Sequence, residues 1–116
     1  MAAGKYNFTI DQGSDFLTFF TLKTTNNSGV TSNRDLAGYT ARASMRPTLE
    51  SSTVYNFVTG ITTPTTNGKI TMSLDAGATS VIPAGIYVYD LEILSGTGGV
   101  ERVLQGKITL TREVTR

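Results

Sequence analysis

The stretch "PAGIYVYDLEIL", from Pro83 to Leu94, decides the fold. Successive side chains of a β-strand point to opposite faces, so this stretch divides into two sets. One set is wholly apolar or aromatic and predicts a face turned to the core: Tyr87, Tyr89, Leu91 and Ile93. The other set mixes apolar and acidic residues and predicts an outer face: Ile86, Val88, Asp90 and Glu92. The strand therefore predicts a sheet with one face buried.

The same alternation recurs along the chain. "KYNFTI", "LAGYTARASMR" and "KITMSL" each place apolar side chains on one face. "DFLTFFTLKT" is almost continuously apolar from Phe16 to Leu22, which predicts a strand buried on both faces. Short runs rich in Thr, Val, Ile, Tyr and Phe, separated by Gly, Asn, Asp and Ser, are typical of β proteins. We predict one all-β domain over residues 1–116, an antiparallel β-sandwich (Ig-like or jelly-roll-like) of about seven to eight strands.

Two segments are predicted to lie outside the strands. "DAGATSVIPAG" is the one stretch that favours a short helical turn, with Asp75 or Ser73 as its cap. The polar loop from Asn26 to Asp35 is the best candidate for a mobile or partner-ordered segment.

The strand from Pro83 can be aligned with the last strand of the chain. Pairing Leu91 with Leu104 also sets Tyr89 opposite Gly106, where an aromatic ring can cover bare backbone. The same register predicts four further pairs: Tyr87 with Ile108, Val88 with Lys107, Asp90 with Gln105, and Glu92 with Val103.

The composition excludes several function classes. The 116 residues include no cysteine and no histidine, so a disulfide framework, a thiolate metal site and a histidine-dependent nucleophile are ruled out. The net charge is +1 and the basic residues are scattered, which favours neither nucleic acid nor a membrane as a partner. No apolar stretch has the length of a membrane span, and "MAAGKYNFTI" lacks the apolar core of a signal peptide. We expect synthesis in the cytoplasm and no cofactor or metal.

Asp90 and Glu92 raise the question of a catalytic pair or a metal site. On one strand face their backbones lie roughly 6–7 Å apart, a spacing compatible with a glycosidase. An open sheet face offers little burial to raise the pKa of a catalytic acid, and no further acids stand at metal-ligand spacing. We therefore interpret the two acids as part of a solvated strand face and predict that the chain is not an enzyme.

Exposed apolar residues beside these acids indicate that the outer face is covered, either by a second sheet or by another molecule. The terminal "TREVTR" adds two arginines that are either solvated or part of an interface. The candidate interface comprises Ile86, Val88, Asp90, Glu92, Val103, Arg112 and Arg116.

Four stretches together carry a family resemblance: "YNFTIDQGSDF", "DLAGYTARASMR", "LDAGATSVIPAGIYVYDLEIL" and "GGVERVLQGKITLTREVTR". They resemble a small β-sandwich module that is widespread in tailed bacteriophages, similar to the N-terminal domain of the upper baseplate proteins of lactococcal phages. The resemblance implies a non-enzymatic virion part that joins a fibre, spike or receptor-binding protein to a tail or baseplate. It brings no catalytic or cofactor residues.

From this resemblance we expect a tail or baseplate adaptor in the virion, present as a homo-oligomer and bound to other phage structural proteins. One alternative is a capsid decoration protein with the same fold. Another is a carbohydrate-binding adhesion module, although the ten aromatic residues lie in or beside predicted strands and leave the loops without a stacking platform.

Overall fold

The computed structural model describes residues 4–113, and within them the chain forms an all-β fold, as the sequence predicts. Eleven strands are present in this range rather than seven or eight. They are β1 (Gly4–Lys5), β2 (Phe8–Asp11), β3 (Phe16–Thr21), β4 (Lys23–Thr25), β5 (Thr31–Asn33), β6 (Thr40–Arg46), β7 (Tyr55–Asn56), β8 (Val58–Ile61), β9 (Lys69–Leu74), β10 (Gly85–Leu94) and β11 (Val100–Thr111). The helical elements are a 3-10 turn (Thr65–Asn67) and α1 (Ala76–Ser80).

The strands form two main sheets and a separate hairpin. The large sheet has the order β1-β11-β10-β6-β7, with β2 also paired to β11. The small sheet has the order β3-β9-β8, and β4 pairs only with β5 among the described strands. All pairings are antiparallel except those of β1 and β2, which run parallel to β11. The number of strands is larger than predicted because some predicted strands are split in two. One such split is at Phe57, between β7 and β8, where the chain passes from the large sheet to the small one.

A single core lies between the two sheets. The large sheet contributes the predicted inward residues of β10, and Leu91 and Ile93 are completely buried. The small sheet contributes Ile70 and Met72, which are also completely buried. The alternation in the sequence therefore predicted the inner faces of β6, β9 and β10 correctly.

The predicted register of β10 against β11 is confirmed from Tyr87 to Leu91, including the Tyr89–Gly106 pair. The prediction that Glu92 pairs with Val103 is wrong. A bulge between Leu91 and Glu92 shifts the register, so Glu92 lies opposite Arg102. An extra residue on one strand reverses which side chains face the core beyond it, and Val103 is buried with 7% of its surface exposed.

The prediction that β3 is buried on both faces is wrong. Its side chains alternate between half-buried and exposed, and Leu17 and Phe19 keep 71% and 56% of their surface exposed. The reason is that the core lies between the two sheets, so only one face of the small sheet meets it.

The predicted helical turn and its cap are confirmed. Asp75 is the N-cap of α1, and its Oδ1 accepts a hydrogen bond of 2.8 Å from Ala78 N. The predicted polar loop Asn26–Asp35 is instead largely the turn and second strand of the β4–β5 hairpin. None of the described helices is long and apolar enough to cross a bilayer.

Candidate functional site

The outer face of the large sheet brings the two acids of β10 against arginines from both neighbouring strands. Glu92 Oε1 accepts from Arg42 Nε of β6 at 2.7 Å. Asp90 Oδ2 lies 3.3 Å from Arg102 Nε of β11. Each carboxylate is therefore held in an ion pair across a different strand boundary. The sequence predicted that the two acids lie on the outer face of the sheet. It did not predict their arginine partners, because the pairing of β6 with β10 joins segments that are distant in the sequence.

The pKa of Asp90 depends on its burial and on the charged side chains around it. Burial raises the pKa of the Asp90 carboxyl above its ordinary value, and the negative charge of Glu92 raises it further. The cation of Arg102 acts in the opposite direction and lowers it. Within residues 4–113, no group of three or more acids stands close enough together to hold a metal ion. The arrangement is a set of cross-strand ion pairs on a sheet surface.

A shallow groove of about 370 Å³ runs across this face beside the ion pairs. Arg46 and Gln105 line it with polar groups, and Val88 and Leu49 line it with apolar ones. Leu49 keeps 80% of its surface exposed. This face can therefore offer both charge and apolar surface to another molecule.

The predicted interface residues do not all share this face. Val88, Asp90 and Glu92 line the groove, and Ile86 lies on the same face by strand alternation, with 64% of its surface exposed. Val103 lies in the core on the opposite face, so its assignment to the interface is wrong. Arg112 is exposed just beyond the end of β11. Arg116 lies outside the described residues.

The outer face of the small sheet carries a second surface, which the sequence did not predict. Leu17 of β3 and Val58 of β8 both lie opposite Ser73 of β9, so the three residues form one row across the sheet. Phe19 follows two residues along β3, with the Nζ of Lys69 lying 4.1 Å from its ring centroid. Leu17, Phe19 and Val58 are all more than half exposed, which makes this an apolar face with a basic margin.

The base of the β4–β5 hairpin is fixed to the body of the domain. Arg34 Nη1 and Nη2 donate to the two carboxylate oxygens of Glu101 at 3.0 and 2.9 Å. This bidentate pair lowers the pKa of the Glu101 carboxyl. Gly68 packs so closely against the backbone of Leu22 and Arg34 that a side chain there would overlap it, and its φ of +65° also favours glycine. The hairpin itself is exposed along its length, from Lys23 to Asn33.

No family model matches the chain, and no curated protein matches it. The solved structures that match the chain include two at low identity. One is an internalin-like protein from Listeria monocytogenes, with 15% identity and a TM-score of 0.46, covering 94% of this chain and 28% of that one. The other is a mutant of the SrpA adhesin from Streptococcus sanguinis, with 12% identity and a TM-score of 0.48, covering 91% of this chain and 55% of that one. The chain thus spans less than two thirds of either protein, and neither likeness carries a functional argument.

Proposed function

We propose that the chain is a non-enzymatic structural protein of a tailed-phage virion, where it joins a fibre or receptor-binding protein to the tail or baseplate. The proposal rests on the resemblance of the four sequence stretches. The observation that carries it in the structure is the exposed apolar face formed by Leu17, Phe19 and Val58. Ser73 lies between Leu17 and Val58, and exposed apolar side chains grouped in this way on one sheet face favour association with another protein.

The energetics of that face favour a partner. Leu17 and Val58 expose 71% and 68% of their surface, and Phe19 exposes 56%. Burying such a side chain completely is worth about 1.5–3 kcal/mol, so covering the exposed part of each contributes about 1–2 kcal/mol. Together these residues supply the apolar centre that a protein interface requires.

An adaptor needs two surfaces that do not obstruct each other. The two sheets pack face to face around one core, so their outer faces point in opposite directions. One outer face is apolar at Leu17 and Phe19, and the other carries the Asp90–Arg102 and Glu92–Arg42 ion pairs. Two surfaces of such different chemistry suit two different partners.

The experiment is antibody–gold labelling of purified particles of the phage that encodes the chain. Label on the tail or baseplate is the expected result. Label on the head would replace the adaptor proposal with the capsid decoration alternative. Particles without label would contradict a place in the virion, and a glycan array would then test the adhesion-module alternative.

A matched pair of variants tests the apolar face directly. Val58→Ser and Val81→Ser make the same chemical change at two exposed valines, of which only Val58 belongs to the apolar face of the small sheet. Val58→Ser should weaken binding to purified tail or fibre components, measured by light scattering, whereas Val81→Ser should leave it unchanged. Equal binding by both variants would remove the apolar face from the proposal.

A further inference from the structure

β3 and β4 form one continuous outer edge, separated only by Leu22. Leu22 N donates to Gly68 O and Leu22 O accepts from Arg34 N, both at 2.8 Å. Pairing therefore continues along one side of the chain, first with β9 and then with β5. The stretch from Phe16 to Thr25 is about 33 Å long at the usual rise of a strand.

The opposite side of this edge is unpaired. Leu22 directs both its backbone groups to the paired side, and Asn26 N also donates there, to Val30 O at 2.9 Å. Backbone groups alternate in direction along an antiparallel strand, so odd-numbered residues direct theirs outward. Within residues 4–113, these outward groups have no hydrogen-bond partner. They belong to Leu17, Phe19, Thr21, Lys23 and Thr25.

Other sheet edges of the described chain are short or interrupted. β7 has two residues and β8 has four. The β1–β2 edge breaks at Asn7, whose Oδ1 accepts from Lys107 N at 2.9 Å and so fills the gap in the ladder. Proteins commonly shorten or interrupt edges in this way to prevent pairing with other chains. The β3–β4 edge has no such interruption, so it remains open to an added strand.

We propose that the β3–β4 edge binds an extended segment of a partner protein, which adds a strand to the small sheet. The partner strand carries apolar side chains opposite Leu17 and Phe19 and acidic side chains opposite Lys23. Main-chain hydrogen bonds supply affinity in this mode of recognition, and alternate side chains supply specificity. The inference rests on the proposed docking function and names how one partner is held.

The charge along the edge selects the partner. Neither Lys23 nor Lys69 forms a salt bridge to any residue between positions 4 and 113, and Lys69 lies over the ring of Phe19. If two copies of the chain paired antiparallel along the whole edge, Lys23 of one copy would lie opposite Phe19 of the other, beside its Lys69. Like charges at such positions are destabilising, so an acidic partner strand fits this edge better than a second copy.

The experiment measures amide hydrogen exchange by NMR on the full chain, with a synthetic ten-residue peptide as the probe. The peptide is designed with Val opposite Leu17 and Phe19 and Glu opposite Thr21 and Lys23, and a control peptide has Lys in place of Glu. In the free chain, the amides of Phe19 and Thr21 should exchange rapidly while that of Phe20 is protected. The Glu peptide should slow exchange at Phe19 and Thr21, and the Lys peptide should not.

Two variants separate edge binding from general damage. Thr21→Pro removes an outward N–H that the domain itself does not use, and proline is tolerated on edge strands. It should weaken binding of the Glu peptide by about tenfold or more, whereas Thr21→Val should not change it. Lys23→Glu should reverse the preference, so that the Lys peptide binds better; this variant keeps the test decisive if the proline variant is unstable.

Three results would overturn the inference. In the first, the two peptides bind equally well. In the second, amide exchange does not change even at millimolar peptide. In the third, the outward amides are already protected in the free chain, and light scattering shows that this chain is a dimer. The last result would assign the edge to a second copy. Gold labelling tests the place in the virion independently, because a tail position with an unoccupied edge would leave the two sheet faces as the docking surfaces.

Discussion

Gly106 is the position where one added methyl group should detach the start of the chain from the large sheet. It lies opposite Tyr89 in the ladder, and the backbone of Tyr6 crosses directly above it. A Cβ at this position would overlap Tyr6 O and would lie 2.9 Å from Asn7 Oδ1. Most of these contacts are backbone atoms, so a rotamer change cannot relieve the overlap, and Gly106→Ala must displace the segment.

The cost follows from the hydrogen bonds that hold the segment in place. Tyr6 N donates to Gln105 O at 3.0 Å, Asn7 Oδ1 accepts from Lys107 N at 2.9 Å, and the Tyr89 hydroxyl donates to Tyr6 O. Three bonds at about 1 kcal/mol each amount to about 3 kcal/mol. Replacing glycine restores up to about 1 kcal/mol by restricting the unfolded chain. We expect a net loss of about 2 kcal/mol in the free energy of unfolding.

Urea unfolding followed by far-ultraviolet circular dichroism measures this loss. Gly4→Ala is the matched control, because Gly4 also lies in the N-terminal segment and its added Cβ would make only ordinary contacts, with Leu104 Cδ1 at 3.6 Å and Val103 O at 3.7 Å. The control should differ from the unmodified chain by less than about 0.5 kcal/mol. A Gly106→Ala variant as stable as the Gly4→Ala variant would refute the close approach of Tyr6 to β11.

Glu101→Gln should destabilise the domain at neutral pH by up to about 1 kcal/mol, because Arg34 loses its carboxylate partner at the partly exposed base of the hairpin. The folded-state pKa of Glu101 is lowered, so this stabilisation is present above the ordinary carboxyl pKa and disappears as pH falls through the lowered value. Urea unfolding should therefore show a larger difference at pH 7 than in acid. Thr79→Val should cost about 1–3 kcal/mol, because the buried hydroxyl donates to Ser14 O at 2.8 Å, and Thr79→Ser should recover most of the loss in the same assay. Phe19→Ser should change the free energy of unfolding by less than about 1 kcal/mol, since the ring is mostly exposed, and a larger loss would show that this ring supports the fold.

The sequence predicted the fold correctly where the alternation of apolar and polar residues along a strand matches the burial of those residues in the structure. The inner residues of β10 follow from a period of two, and the Leu91–Leu104 register correctly places Tyr89 opposite Gly106. The structure requires glycine there for a reason that the sequence did not reveal. The backbone of Tyr6 occupies the space above it, a contact between residues 100 positions apart.

The bulge beside Leu91 could not be predicted, because alternation on β10 continues unbroken through it. Its effect appears on β11, where Val103 turns inward and Arg102 takes the place opposite Glu92. A bulge inserts one residue into one strand only, and its position depends on pairing geometry.

The sequence predicts a second buried face on β3 because apolar composition does not distinguish a strand buried on both faces from one that exposes apolar side chains. Leu17 and Phe19 have the residue types of a core, and only the number of layers above them decides their exposure. The ion pair between Arg34 and Glu101, 67 residues apart, likewise depends on topology that no local pattern encodes.

Cross-linking of purified virions with an amine-reactive reagent, followed by mass spectrometry, tests the account most directly. Lys23 and Lys69 flank the proposed docking edge, whereas Lys107 lies on the large sheet and serves as an internal reference. The account predicts that the chain is present in the particles and that Lys23 or Lys69 is linked to a tail, baseplate or fibre protein. Absence of the chain from the particles, or links from these lysines only to capsid proteins, would contradict it.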